Sequence, residues 1–159
     1  MMKITVISIG KLKEKYFKDA ANEYIKRLSA YCDISVREIV PESLPEKPSA
    51  AQTDAALLKE AEKAEKQIPK NAFTVALCVE GRGCSSETFA KLIKENCDKG
   101  TPVCFIIGSS CGLHESLKQK ADMRLSFSDM TFPHKLFKVM LLEQIYRAFK
   151  INGGGTYHK

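Results

Sequence analysis

Residues 73–79 read FTVALCV, and residues 103–107 read VCFII. A strand with one face in water alternates apolar and polar residues. A strand covered on both faces does not, and such continuous runs mark the central strands of a parallel sheet. Between the two runs lies ETFAKLIKENC, residues 87–97, with Ser85 or Ser86 placed as a helix cap and Gly100 placed as its stop. Strand, helix, strand is the unit from which parallel sheets are built.

Working outward, residues 3–9 (KITVISI) alternate, carry β-branched side chains and end at Gly10, as a first strand would. In residues 16–28, Phe17, Ala20, Ala21, Tyr24, Ile25 and Leu28 recur at spacings of three and four, opposite Lys18, Lys26 and Arg27, which predicts an amphipathic helix. Residues 34–40 read as a second strand. Residues 41–48 (PESLPEKP) hold three prolines and read as a loop. Residues 52–67, rich in Ala, Glu and Lys, predict an exposed helix whose charges form a solvated face, stopped by Pro69. Residues 80–83 read as a turn. Beyond 107 the pattern gives a short helix at 113–121, a strand at 124–127, and a helix at 133–150 with Pro133 in its first turn. Five strands alternating with five helices predict an α/β fold: one domain over residues 1–159, its mostly parallel sheet flanked by helices on both faces.

Composition agrees with that class. Of 159 residues, 44% are apolar and 28% charged, as in globular domains. No run approaches the roughly 18 apolar residues of a membrane span. The N-terminus lacks the cleavage pattern of a signal peptide, so a cytoplasmic protein with no membrane partner is expected. The six cysteines form no C-x-x-C pair, which suits reduced structural thiols; Cys111, in a glycine loop, is the one whose reactivity stays open. His114, His134 and His158 pair with no acid or thiol at ligand spacing, so no metal site is expected. A net charge of +6 favours a polyanionic partner.

In parallel α/β sheets ligands bind beyond the carboxyl ends of the strands. Three loops qualify: residues 80–85, 108–112 and 128–132. The second, Gly-Ser-Ser-Cys-Gly, lets backbone amides approach a ligand, although a tight strand-to-helix turn accounts for its spacing equally well. Neither G-x-G-x-x-G after the first strand nor G-x-x-x-x-G-K-[ST] occurs, which argues against nicotinamide cofactors and nucleoside triphosphates. An uncharged, adenosine-like moiety held by backbone contacts suits these loops better. The last helix is apolar on a wider stripe than one core face needs, so a homodimer interface is expected. Glu143 and Arg147, at i and i+4, form either an ordinary helical ion pair or a polar patch at that interface. His134 is expected to be neutral, capping or packing the helix start. Gly153-Gly154-Gly155 is expected to free a mobile tail of Tyr157, His158 and Lys159 that touches a partner. For His158 a general base, a phosphate contact and a disordered terminus all stay open.

The segment LSFSDMTFPH (residues 125–134), with EQIYRA (143–148) and the terminal Tyr157-His158-Lys159, resembles the small SPOUT-class methyltransferases that modify a pseudouridine in bacterial 23S ribosomal RNA. Residues 3–5, 10–13 and 85–87 and the overall length fit the same family. The resemblance implies an α/β fold with a C-terminal trefoil knot, a homodimer, and S-adenosylmethionine as cofactor. It puts the cofactor contacts on Leu77, Gly108, Phe127, Ser128, Asp129, Met130, Thr131 and Phe132. It implies methyl transfer to N3 of a pseudouridine of 23S rRNA in the large subunit or assembled ribosome. Glu143, Tyr157 and His158 are then candidates to accept or orient the N3 proton, and Arg147 to steady charge on the base. Three positions depart from the family pattern: Cys78 where an acid is usual, Ser109 where a second Gly is common, and Gly-Gly-Gly-Thr before the terminal Tyr-His. Two further readings are a non-catalytic basic RNA-binding factor and a small flavodoxin-like nucleotide or flavin enzyme.

Overall fold

The computed structural model describes residues 1–157, and its elements alternate strand and helix throughout. In chain order they are β1 (Lys3–Ile9), α1 (Lys15–Leu28), β2 (Asp33–Ile39), α2 (Ala50–Glu65), β3 (Phe73–Gly83), α3 (Ser86–Asp98), β4 (Val103–Ile107), α4 (Glu115–Lys120), β5 (Met123–Ser126) and α5 (His134–Asn152). The five strands form one sheet in the order β2-β1-β4-β3-β5, and every pairing is parallel. That order is not the 2-1-3-4-5 of flavodoxin-like proteins, so the flavodoxin-like reading is overturned.

Strand periodicity divides the core between two faces. Ile4, Val6, Val75, Leu77, Phe105 and Ile107 point into the larger cluster, with Phe89 and Ile93 of α3 and Leu141, Leu142 and Ile145 of α5. Ile7, Ile9, Ala76, Cys104 and Ile106 point the other way, onto Ala61 and Ala64 of α2 and Leu117 of α4. The run VCFII is buried at every position because both faces are covered. Leu141 is fully buried, so Leu141→Ala is expected to destabilise the protein by about 2–5 kcal/mol, read as a drop in urea midpoint at constant m-value.

Three expectations need correction. Residues 80–83 are not a simple turn, because β3 continues through them. Leu77 and Arg82 both pair with Leu125, so residues 78–81 bulge out of the ladder. A run of Glu, Gly and Arg carries no apolar signal for a strand, and the pairing with β5 supplies the order. The helix α2 is not a purely solvated one: Ala56, Glu60, Ala61 and Ala64 are buried, and a Ser49–Gln52 capping box starts it. The breadth of α5 is also used within the chain. Its apolar stripe meets the sheet, while Ser86 at the start of α3 donates to Gln144 (2.7 Å) and Asn152 donates to the Ala90 carbonyl (2.9 Å). On the other flank Lys135 meets Glu14 just before α1 (2.6 Å). The width of the stripe therefore does not by itself require a second subunit. Lys138, read only as part of α5, is 3% exposed and pairs with Glu38 at 3.3 Å; burial pushes its pKa down and Glu38 opposes that.

Candidate functional site

A cleft of about 760 Å³ opens over the carboxyl ends of β3, β4 and β5. Its walls come from residues 77–80 at the β3 bulge, residues 107–113 after β4, and residues 126–134 between β5 and α5; the last two contain loops picked out by sequence, whereas of residues 80–85 only Glu80 lines it. Of the residues expected to hold a cofactor, Leu77, Gly108, Phe127, Ser128, Met130, Thr131 and Phe132 line this cleft. Asp129 is not among its lining residues. Ser126 Oγ donates to the Ser128 carbonyl (3.0 Å), and Ser128 Oγ accepts from the Met130 amide (3.0 Å), so the 126–130 turn carries its own hydrogen bonds.

The loop after β4 is tight. A Cβ on Gly108 would lie 2.5 Å from the carbonyl carbon and oxygen of Gly112. Gly112 in turn donates its amide to the Ser109 carbonyl (2.9 Å). Backbone therefore forms this side of the cleft, with Leu77 and Leu113 as apolar walls, an arrangement that suits a flat uncharged ring. Of the cysteines, Cys78 and Cys111 also face the cleft; burial raises the Cys78 thiol, which keeps it protonated. Glu80 is ion-paired with Lys118 of α4, and that hydrogen bond holds its carboxyl below the usual range.

His134 lines the same cleft and packs on Gly10, with Nε2 3.0 Å from the place a Cβ there would occupy. Burial pushes the imidazole below its ordinary value; Lys135 and Lys138 add to that and Glu14 opposes it. An imidazole with a depressed folded pKa contributes stability above its unfolded value of about 6.5, and that contribution is lost as pH falls. The urea midpoint of the wild type is accordingly expected to fall between about pH 7.5 and pH 5.5, and to fall less in His134→Gln. His114 stands at the start of α4 and caps it: Nδ1 accepts from the Ser116 amide (3.1 Å), and Nε2 lies 3.2 Å from Asp54 of α2.

A second cavity of about 530 Å³ adjoins the cleft at the 126–132 segment. It shares Ser126, Phe127 and Phe132 with the cleft and is completed by Tyr24, Ser86, Val139, Met140 and Glu143, among others. The Glu143 carboxylate is heavily used. It accepts from Arg147 Nε (2.9 Å) and Nη2 (2.5 Å), from Gln144 (2.9 Å), and from the Tyr157 hydroxyl (3.3 Å). Arg147 also sits over the Tyr157 ring at 4.9 Å, and Tyr146 meets that ring edge-on at 5.0 Å. Sequence thus named three residues that the fold brings into one cluster: Glu143, Arg147 and Tyr157. His158 lies outside the described residues.

The expectation of a free tail is corrected here. Gly155 donates its amide to the Lys150 carbonyl (2.8 Å) and Gly154 to Ile151 (3.1 Å), with Gly154 at φ +69°. These two bonds are the Schellman motif, a glycine helix stop rather than a hinge. The stop turns the chain back so that Tyr157 docks on α5. Burial, with hydrogen bonds to Tyr24 and Glu143, pushes the phenol up to about 12, so it stays protonated and donates.

Sequence reasoning missed Glu60, which is 3% exposed and reaches the loop after β4. A signal was present: Ala56, Glu60 and Ala64 recur every four residues, which puts the carboxylate on the same stripe as two small core residues.

A parallel sheet with a backbone-lined cleft over its carboxyl edge is an α/β architecture of the kind in which ligands bind beyond the strand ends. Comparison with known proteins gives the family. Residues 2–158 match the family model described as "Predicted SPOUT methyltransferase". The ribosomal RNA large subunit methyltransferase H of Bifidobacterium adolescentis is 48% identical over 159 residues, covering 99% of this chain and 100% of the relative. The proteins of the same name from Clostridium acetobutylicum and Streptococcus pyogenes are 46% and 45% identical over the same coverage. The chain belongs to the SPOUT methyltransferase family, and it is a methyltransferase.

Proposed function

We propose that this protein transfers a methyl group from S-adenosylmethionine to N3 of a pseudouridine in the large-subunit ribosomal RNA. The observation that carries this reading is the shared lining: Ser126, Phe127 and Phe132 border both the backbone-lined cleft and the cavity holding Glu143, so a donor in one and an acceptor base in the other would meet beside them. The relatives' names, which specify ribosomal RNA of the large subunit, support the substrate class. The cleft fits the cofactor: a bare Gly108 loop and the apolar Leu77 and Leu113 suit an adenosine group, and the Ser128–Phe132 turn suits the rest of the molecule. Asp129 is proposed with that turn, as a neighbour rather than a wall.

S-adenosylmethionine supplies a methyl group already activated on a sulfonium, so the chain's own task is mainly alignment and removal of the N3 proton. Glu143 is the proposed acceptor or orienter of that proton, and Arg147 the group that steadies charge on the base carbonyls. The raised pKa of Tyr157 favours it as a hydrogen-bond donor rather than a base. His158 remains a proposed partner in the same step. A ribosomal substrate implies a cytoplasmic enzyme and a polyanionic surface opposite its net charge of +6.

The trefoil knot and the homodimer are part of this proposal. The connection from edge strand β5 passes the ends of β3 and β4 to bring His134 against Gly10 beyond β1, which is the kind of path a knot requires. Met130, Phe132 and Leu136 leave apolar surface exposed, which suits a second copy; light scattering after gel filtration would report the mass. The decisive experiment incubates ribosomes lacking the modification with the protein and S-adenosylmethionine, then maps the rRNA by mass. One added methyl on a pseudouridine of the large-subunit RNA supports the reading. A methyl elsewhere, or none in ribosomes and free subunits alike, overturns it.

A further inference from the structure

Helix α2 contributes nothing to the cleft's lining, yet it holds the loop that does. Glu60 is 3% exposed, and both of its carboxylate oxygens are engaged. Oε1 accepts from Ser109 Oγ at 3.1 Å, and Oε2 accepts from the Glu42 amide at 2.9 Å. Glu42 in turn meets Lys63 of α2 at 2.5 Å, so the proline-rich segment after β2 is fastened to the same helix. Earlier on α2, Asp54 meets His114, which closes the far end of the loop. The five residues 108–112 are therefore held near both ends by acids of one helix, and the inner acid is buried.

A buried carboxylate is costly unless its oxygens accept hydrogen bonds, and such bonds with a charged partner are the stronger kind. In this fold the bonds from Ser109 and the Glu42 amide offset that cost. We infer that Glu60 is a positioning residue: acting through Ser109, it holds the loop after β4 in the conformation that receives the cofactor. The inference rests on the proposed S-adenosylmethionine reading and deepens it.

Four variants of the full-length protein test it: Ser109→Ala, Glu60→Ala, their combination, and Glu60→Gln. Binding of S-adenosylmethionine and S-adenosylhomocysteine is measured by calorimetry, and amide exchange of residues 108–113 is measured without ligand. Ser109→Ala removes one hydroxyl from a loop and leaves the core intact. It is expected to weaken binding about tenfold, one charge-assisted hydrogen bond's worth of loop order, and to speed exchange in residues 108–113 above the rest of the chain. Glu60→Ala should match it, and the double variant should be no worse than either single one, since both cut the same tether. Glu60→Gln should fall between the wild type and Glu60→Ala, because it keeps one accepting oxygen and can donate to the serine hydroxyl but carries no charge. Unchanged affinity and exchange in Ser109→Ala overturn the inference, whether or not Glu60→Ala folds. So does an additive double variant, which would make the two residues independent. Absence of binding to the wild type would instead overturn the cofactor reading itself, so the two failures are distinguishable.

Discussion

Deleting the last three residues, Tyr157, His158 and Lys159, is expected to cut methyl transfer by about 100- to 10,000-fold, the usual range for loss of proton-transfer groups, while cofactor affinity stays unchanged. The expectation follows from where Tyr157 sits. Its hydroxyl donates to Glu143, its ring lies under Arg147, and Tyr146 braces its edge. None of these contacts belongs to the cleft proposed for the cofactor. The deletion begins beyond the Schellman stop, so the bonds from Gly154 and Gly155 that finish α5 survive, and the fold should too. Stopped-flow or endpoint methylation of ribosomes, beside calorimetry with S-adenosylmethionine, separates the two quantities. Tyr157→Phe refines the result: it keeps the ring and removes only the donor, and a smaller loss is expected. If the truncated protein turns over like the wild type, the cluster around Glu143 is structural.

Gly108→Ala is expected to cost at least about 100-fold in cofactor affinity, with a smaller effect on global stability. Its new methyl would lie 2.5 Å from the Gly112 backbone, a contact that no rotamer can relieve. The collision is between two stretches of main chain in one loop, so the loop must open. That moves Ser109 off Glu60 and spreads the wall on which the ligand rests. The strand behind it, buried at every residue, holds its register. Thermal melts with and without S-adenosylmethionine give the discriminating measurement: the ligand-induced rise in Tm should vanish while the unliganded Tm drops by only a few degrees. A preserved ligand-induced rise would remove Gly108 from the binding wall.

Sequence made the alternation of elements legible because parallel strands covered on both faces leave continuous apolar runs such as FTVALCV and VCFII. It also singled out residues 108–112 and 128–132, since carboxyl-edge connections follow each strand in the chain, but it placed the first wall at 80–85 where residues 77–80 line the cleft. The lateral order β2-β1-β4-β3-β5 was not legible, because pairing between strands of similar composition is decided by non-local packing. Composition misled at three places for identifiable reasons. Residues 80–83 look like a turn because Glu, Gly and Arg rarely build strands, yet β5 supplies ladder partners for Arg82 and Gly83. Glu60 looks solvated because an Ala- and Lys-rich helix hides which glutamate faces inward. Gly153-Gly154-Gly155 looks like a hinge because glycine permits both freedom and the left-handed stop, and only the i−5 bond from Gly155 tells them apart. Helical spacing paired Glu143 with Arg147, but that Tyr157 joins them depends on the turn-back after α5, which spacing does not show.

The position of α5 bears on how the protein is made. Its residues Leu141, Leu142, Ile145 and Ala148 fill the middle of one helix layer, between α1 and α3, although the strand just before it lies at the sheet's edge. During synthesis, five strands and four helices leave the ribosome before this helix does. Until it arrives, a nascent chain holds Ile4, Val6, Val75, Leu77 and Phe105 on an uncovered apolar face, the surface that chaperones recognise. An N-terminal fragment ending before His134 should therefore be recovered as aggregate or bound to chaperone rather than as a smaller folded domain.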